Sequence, residues 1–354
     1  MDSETIVGTP TLSLRELAAY FSGIASVFVF ALLSMFALMR SAEGVYWNDT
    51  SQIVGAWMDK KMELAQEVAS PKIILLGGSN VFYGLRADVL QETAAMPVFN
   101  FGVHGALPLS FYLFKLREFA KPGDTVLFAP ELNYYFRDPK QVNQESLRYL
   151  FPRQQDFLMA GGSVFLMETL FRTPPDFFFA GFLHPAESWR SHAETQMRNA
   201  SSIMSKLGDY QINRLEMLGS SPQEFCARQT PVQEFDAGKT ADYLVGRAEK
   251  CFFPFLVEFR DWAASNHITL VFTWPNTRLF PVYENQENRE FFRRFQNRVE
   301  SLGIPVVASP YDSMLPADRF FDTIYHLHQE AAVARTKALA EQWKLVGEQH
   351  AFEK

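Results

Sequence analysis

Two short segments, far apart in the chain, carry residues whose types and order suit acyl transfer. The first, Lys72-Ile73-Ile74-Leu75-Leu76-Gly77-Gly78-Ser79-Asn80, is an apolar run closed by small residues and a serine. The second, Phe320-Phe321-Asp322-Thr323-Ile324-Tyr325-His326-Leu327, holds an acid four residues before a histidine. A hydroxyl is a poor nucleophile at neutral pH until an imidazole takes its proton and a carboxylate fixes the imidazole's tautomer. Ser79, His326 and Asp322 are thus the candidate nucleophile, general base and orienting acid, with His326 later returning a proton to the leaving group. Other readings of the same residues stay open. Gly77 to Asn80 also suits a plain strand-to-helix turn capped by Ser79, or a phosphate loop, although it lacks the lysine of a P-loop. His104 and His328 compete with His326 as base, and Asp318 competes with Asp322 as acid.

Such a site needs a scaffold that brings residue 79 to residue 326, and the pattern between them supplies one. Ile73 to Leu76, Val98 to Phe101, Thr125 to Ala129, Thr269 to Thr273 and Ile304 to Ala308 read as short buried strands. Helical spacing separates them over Val81 to Ala95, Leu109 to Ala120, Phe255 to Ser265 and Glu287 to Leu302, and a last helix spans Gln329 to Leu345. Strand and helix in alternation predict a parallel sheet with crossover helices, an α/β fold of three layers, α/β/α. Active groups in such sheets gather beyond the carboxyl ends of the strands. Ser79 follows the first strand, Asn100-Phe101-Gly102 the second, Glu131-Leu132-Asn133 the third, and Asp322 and His326 the fifth. An oxyanion would be met by the backbone N–H of Ser79 or Asn80, by that of Gly102 and by the Asn133 amide.

The remaining regions divide the chain further. Residues 1–16 form an N-terminal tail. Leu17 to Met39 is 23 residues without a formal charge; as a helix it would extend roughly 35 Å, enough for a transmembrane anchor. Residues 40–70 read as a juxtamembrane helical linker with one amphipathic helix near Ile53 to Val68. The α/β domain covers 71–345 with a helical insertion at about 139–247, and 346–354 is a C-terminal tail. The net charge of −7 and the lack of a dense Lys/Arg run argue against nucleic acid as a partner. Cys226 and Cys251 are too few for a disulfide scaffold or a four-cysteine zinc site; they pair with each other or stay reduced. No metal and no cofactor is expected.

Ile73 to Asn80, Asn100-Phe101-Gly102 and Asp322 to Leu327 together resemble the SGNH/GDSL hydrolase superfamily. More narrowly, they are similar to its membrane-anchored bacterial branch, which includes proteins of alginate O-acetylation and teichoic acid D-alanylation. The resemblance covers roughly Pro71 to Asp138 and Phe255 to Leu345. It implies a flavodoxin-like sheet, an acyl-serine at Ser79, a triad completed by Asp322 and His326, and an oxyanion hole lined by Ser79, Gly102 and Asn133. Two departures stand out: the acid is four residues before the histidine rather than three, and the usual Gly-x-Asn-Asp block is absent, leaving Asn133 as a positional stand-in. The resemblance further implies O-acyl transfer from an acyl donor to a glycan or polysaccharide, alongside a multi-pass membrane O-acyltransferase. The catalytic domain would lie on the outer, periplasmic side of a bacterial cytoplasmic membrane. An esterase or deacetylase, a catalytically weak scaffold and a nucleotide-binding domain are the alternatives.

Overall fold

The computed structural model describes residues 13–41, 49–172, 230–236 and 238–351. Five parallel strands form the main sheet: β1 (Ile73–Gly77), β2 (Val98–Gly102), β3 (Thr125–Phe128), β4 (Thr269–Thr273) and, after a two-residue β5 (Thr277–Arg278), β6 (Val306–Val307). A second, two-stranded sheet pairs β5 with β7 (Met314–Leu315). The spatial order in the main sheet is β2-β1-β3-β4-β6. The strands form where every position can be buried. Ile74 and Leu76 enter one core and Ile73 and Leu75 the other, so an unbroken apolar run serves both faces of a parallel sheet.

Twelve helices are present among the described residues. They are α1 (Leu14–Ser41), α2 (Asp49–Glu67), α3 (Ser79–Gly84), α4 (Ala87–Ala94), α5 (Leu109–Phe119), α6 (Gln144–Arg153), α7 (Gln155–Ala160), α8 (Gly162–Arg172), α9 (Gln233–Asp236), α10 (Ala241–Ser265), α11 (Gln286–Ser301) and α12 (Gln329–Ala351). The larger core takes side chains from α2, α5, α6, α7, α10 and α11; the smaller takes Leu90 of α4 and Leu339 and Ala340 of α12. Helices therefore cover both faces of the sheet, as the alternation predicts.

Several expectations change in detail. The helix expected over 81–95 is two, α3 and α4. The Asn100 amide on β2 donates to the Val81 and Leu85 carbonyls at 2.9 Å each, closing α3 after one and a half turns. α10 starts at Ala241, not near 255, and runs through Pro254, because Phe252, Phe253, Leu256 and Phe259 form one continuous buried stripe. The insertion boundary near 247 is thus interior to a helix. Leu147, Tyr149, Leu150 and Phe157 join the main core, so the described part of the insertion belongs to the domain. Gly303 takes a left-handed conformation (φ 73°) past α11, as expected of a helix stop. The last helix extends to Ala351, through most of the expected tail. Cys251 is a half-buried thiol on α10, while Cys226 lies outside the described residues.

The segment expected as a linker is also part of the domain. Val54, Trp57, Met58, Lys61 and Ala65 recur at helical spacing along α2 and are all buried. Trp57 lies 4.6 Å, ring centre to ring centre, from Phe82 on α3. The Lys61 ammonium donates to the Asn100 carbonyl at 2.6 Å and sits 4.6 Å from the Phe82 ring centre. By contrast, Leu14–Ser34 of α1 is long and apolar enough to cross a membrane, and none of it is buried.

One buried ion pair staples β1 to the turn before β3. Lys72 Nζ is 3.3 Å from Asp124 Oδ2, both side chains fully buried, and Asp124 also accepts from the Lys72 and Lys121 N–H groups. Removing one partner of such a pair strands the other charge. Asp124→Ala is expected to lower unfolding stability by about 3–5 kcal/mol in a denaturant titration. A loss below about 1 kcal/mol would show that the pair is no more than a surface-type contact.

Candidate active site

In the order β2-β1-β3-β4-β6 the chain leaves β1 for a neighbour on one side and then crosses to β3 on the other. The crevice at the carboxyl ends of β1 and β3 is therefore the topological switch point, where doubly wound sheets bind their ligands. Ser79 is the first residue past β1 and its turn, opening α3; Glu131 is the third residue after β3 and opens a 3₁₀ turn over Leu132–Phe136. Pairing of the two strands brings these residues together. Ser79 Oγ donates to Glu131 Oε1 at 3.0 Å, and the Asn80 N–H donates to the same oxygen at 3.2 Å. The Asn80 amide ties α3 to the end of β3 by donating to the Ala129 carbonyl at 2.9 Å.

Why α3 can press so closely on the strand ends is visible in Gly102. A Cβ there would overlap the Phe82 peptide nitrogen and the Gly78 carbonyl, so only glycine lets the helix seat.

Asp322 and His326 arrive on a hairpin-like loop. An antiparallel bridge joins Phe320 to Leu327, and the Phe321 N–H donates to the His326 carbonyl at 3.0 Å. Inside the loop the Thr323 hydroxyl oxygen accepts from the N–H groups of Tyr325 (3.2 Å) and His326 (3.1 Å). That tight turn absorbs the extra residue between acid and base: His326 Nδ1 lies 2.6 Å from Asp322 Oδ1. The loop is anchored by Asn276, in the segment after β4, whose amide donates to the Tyr325 carbonyl at 2.5 Å and packs against Gly84 at the end of α3. The His326 ring lies 4.5 Å, centre to centre, from that of Tyr83, one helical turn beyond Ser79.

His326 and Ser79 are 6% and 8% exposed, and both face the buried Glu131. Burial pushes the Glu131 carboxyl above its ordinary pKa; the Asn80 N–H, the His326 charge, the Ser79 hydroxyl and Arg137 pull it back down.

The structure thus bonds Ser79 to Glu131, brings His326 close enough for its charge to act on that carboxylate, and joins His326 to Asp322, with two differences from expectation. The Ser79 hydroxyl is bonded to Glu131, not to His326. The oxyanion donors also differ. The Gly102 N–H is engaged by the Asn100 side-chain oxygen at 2.9 Å and is not free to meet a substrate. Asn133 lies in the 3₁₀ turn two residues past Glu131, with its Oδ1 buried and unbonded, and no hydrogen bond joins it to Ser79. Of the donors weighed, the Asn80 N–H is the one observed beside the Ser79 hydroxyl. The competing groups stand elsewhere. His104 Nδ1 accepts from the Ala106 N–H and its Nε2 lies 3.4 Å from Glu145. Asp318 is exposed, and His328 packs on the far side of the bridge, its pKa lowered chiefly by burial.

Three residues of the site have no role in the sequence reading: Glu131, Asn276 and Asn100. Glu131 carried a signal, an acid directly after the buried run Val126 to Ala129 and its closing proline, where a charge is costly unless it is bonded. The two asparagines carried none, since each acts through contacts with segments remote in sequence. Among the described residues, no cluster of His, Cys, Asp and Glu could hold a metal ion. No protein-family model matches the chain, and a search of curated proteins finds no match.

Proposed function

We propose that this chain is a membrane-anchored serine acyl-ester enzyme of the SGNH type. It carries an acyl group, acetyl foremost, on Ser79 and transfers it to a hydroxyl of a cell-envelope or exported polysaccharide. The observation that carries the reading is the Ser79 hydroxyl bonded, at the switch point of the sheet, to a buried carboxylate on which the charge of the Asp322-held His326 also acts. Ser79 attacks the donor's acyl carbon, its own N–H at the start of α3 meets the oxygen that gains charge, and His326, held by Asp322, moves protons.

The α1 helix supports anchoring. Phe21, Phe28, Phe30 and Leu33 are exposed on its surface, an arrangement suited to lipid rather than water. Anchoring holds the domain beside a membrane partner, a multi-pass acyltransferase that supplies the acyl donor, on the periplasmic side of a cytoplasmic membrane. The buried face of α2 then connects anchor to site, since α2 packs directly on α3.

Incubating the full chain in detergent with an aryl acetate, with and without oligosaccharide acceptors, tests the reading. Transfer predicts acetylated oligosaccharide formed at the expense of free acetate. Rapid acetate release unaffected by any acceptor would make the protein an esterase, and no Ser79-dependent turnover at all would leave only a binding scaffold.

A further inference from the structure

Glu131 touches the reacting hydroxyl, and a Ser-His-Asp arrangement does not account for it. Its Oε1 is 3.0 Å from Ser79 Oγ, whereas the His326 ring makes one hydrogen bond among the described residues, through Nδ1 to Asp322. The carboxylate is built into place. Gly78 and Gly105 back onto it so closely that a Cβ at either would overlap it, and the residue is 2% exposed. A carboxyl group shut away from water and bonded, among the described residues, to only a hydroxyl and one peptide N–H is costly to keep. A reactive serine is a sufficient reason to keep it.

We infer that Glu131 is a catalytic carboxylate that removes the Ser79 proton, leaving His326 to serve the leaving group and the acceptor. The inference rests on the acyl-serine reading above and divides its proton transfers between two groups. The cycle starts from the carboxylate form of Glu131 and the imidazolium form of His326. During acylation the Ser79 O–H bond breaks, its proton passes to Glu131 Oε1, and Oγ bonds to the acyl carbon. The bond from that carbon to the donor oxygen then breaks, and the departing oxygen takes the proton from His326 Nε2. In the second half the acceptor hydroxyl gives its proton to His326 as its oxygen bonds to the acyl carbon. Ser79 Oγ leaves and recovers its proton from Glu131, restoring both groups.

The charged and titratable groups facing Glu131 fit this cycle. His326 and Tyr325 approach from the hairpin loop, Arg137 and Tyr134 from the 3₁₀ turn, and Tyr112 from α5, beside Ser79 on α3. Burial raises the carboxyl's proton affinity, which suits a base, while the Asn80 N–H, the Ser79 hydroxyl and the neighbouring His326 and Arg137 favour its ionised form. The base must be ionised, so Ser79 reactivity should fall as pH drops through this raised pKa.

A fluorophosphonate probe separates the two proton transfers, because fluoride departs without needing a proton. With the full chain in detergent, Glu131→Gln should slow labelling of Ser79 by about 10²–10⁴-fold at neutral pH. His326→Asn should affect labelling far less while abolishing turnover of an alkyl acetate, whose leaving group needs an acid. Labelling lost in His326→Asn, or unchanged in Glu131→Gln, overturns the inference. If a melting curve shows Glu131→Gln unfolded, the His326→Asn labelling decides alone: retained, it supports Glu131 as the base; lost, it refutes it. A wild-type chain that takes no label, or label that survives Ser79→Ala, defeats the acyl-serine reading itself and is thereby distinguished from a failure of Glu131.

Discussion

Ser79→Ala is expected to lower turnover of an aryl acetate by about 10⁴–10⁶-fold, the scale on which loss of a serine nucleophile acts in acyl-transfer enzymes. The fold should survive. The substitution removes one oxygen from the first position of α3, and Glu131 keeps the Asn80 N–H as a donor. The Asn80 amide still ties the helix to β3, and the Asn100 amide still closes it. Unfolding stability should therefore fall by no more than about 3 kcal/mol, the upper end of what a hydrogen bond to a charged group contributes. Turnover that persists at even a tenth of the wild-type rate would mean that Ser79 only caps a helix.

Asp322→Asn should be nearly as damaging, with an expected loss of about 10³–10⁴-fold, although the replacement is almost isosteric. The carboxylate at 2.6 Å from Nδ1 accepts a hydrogen bond from the N–H at that nitrogen, which leaves Nε2 as the working nitrogen of the ring. An amide offers both a donor and an acceptor and admits the wrong tautomer. The loop itself should hold, since the Phe320–Leu327 bridge, the Thr323 turn and the Asn276 anchor do not involve Asp322. The measurement is the rate constant for an alkyl acetate, with circular dichroism as the control for folding. Equal activity of Asp322→Asn and wild type would show that the imidazole needs no orienting acid.

The comparison of sequence and structure turns on range. β1, β2, β3 and β4 were legible because an unbroken apolar run of four or five residues has few other places to go in a chain of this kind. Ser79 and His326 were legible from strand-end topology alone, since the carboxyl ends of parallel strands share one edge of the sheet. What was not legible was the particular side-chain contact between segments distant along the chain. The break between α3 and α4 depends on a β2 asparagine reaching back to close a helix. The place of α2 in the core was half legible: its periodicity showed a buried stripe, but not that Trp57 and Lys61 would meet Phe82. Gly102, expected to offer its N–H to an oxyanion, has another part in the structure. It admits α3 against the sheet, and its N–H is engaged by Asn100.

Glu131 is the clearest case. Fifty-two residues separate it from Ser79, and no local pattern links the two. Only the parallel pairing of β1 with β3, which sets Leu76 opposite Phe128, brings the segments after them into register. The sequence marks Glu131-Leu132-Asn133 as a strand-end segment and favours its amide; the register puts the acid against the Ser79 hydroxyl.

The most direct test is the mass of the Ser79 peptide after brief exposure of the full chain to an aryl acetate and rapid acid quench. An acyl-serine enzyme gives a peptide heavier by one acetyl group, with the modification on Ser79 and absent from Ser79→Ala. An unmodified peptide during demonstrable turnover, or an acetyl group carried elsewhere, would exclude the covalent route through this serine.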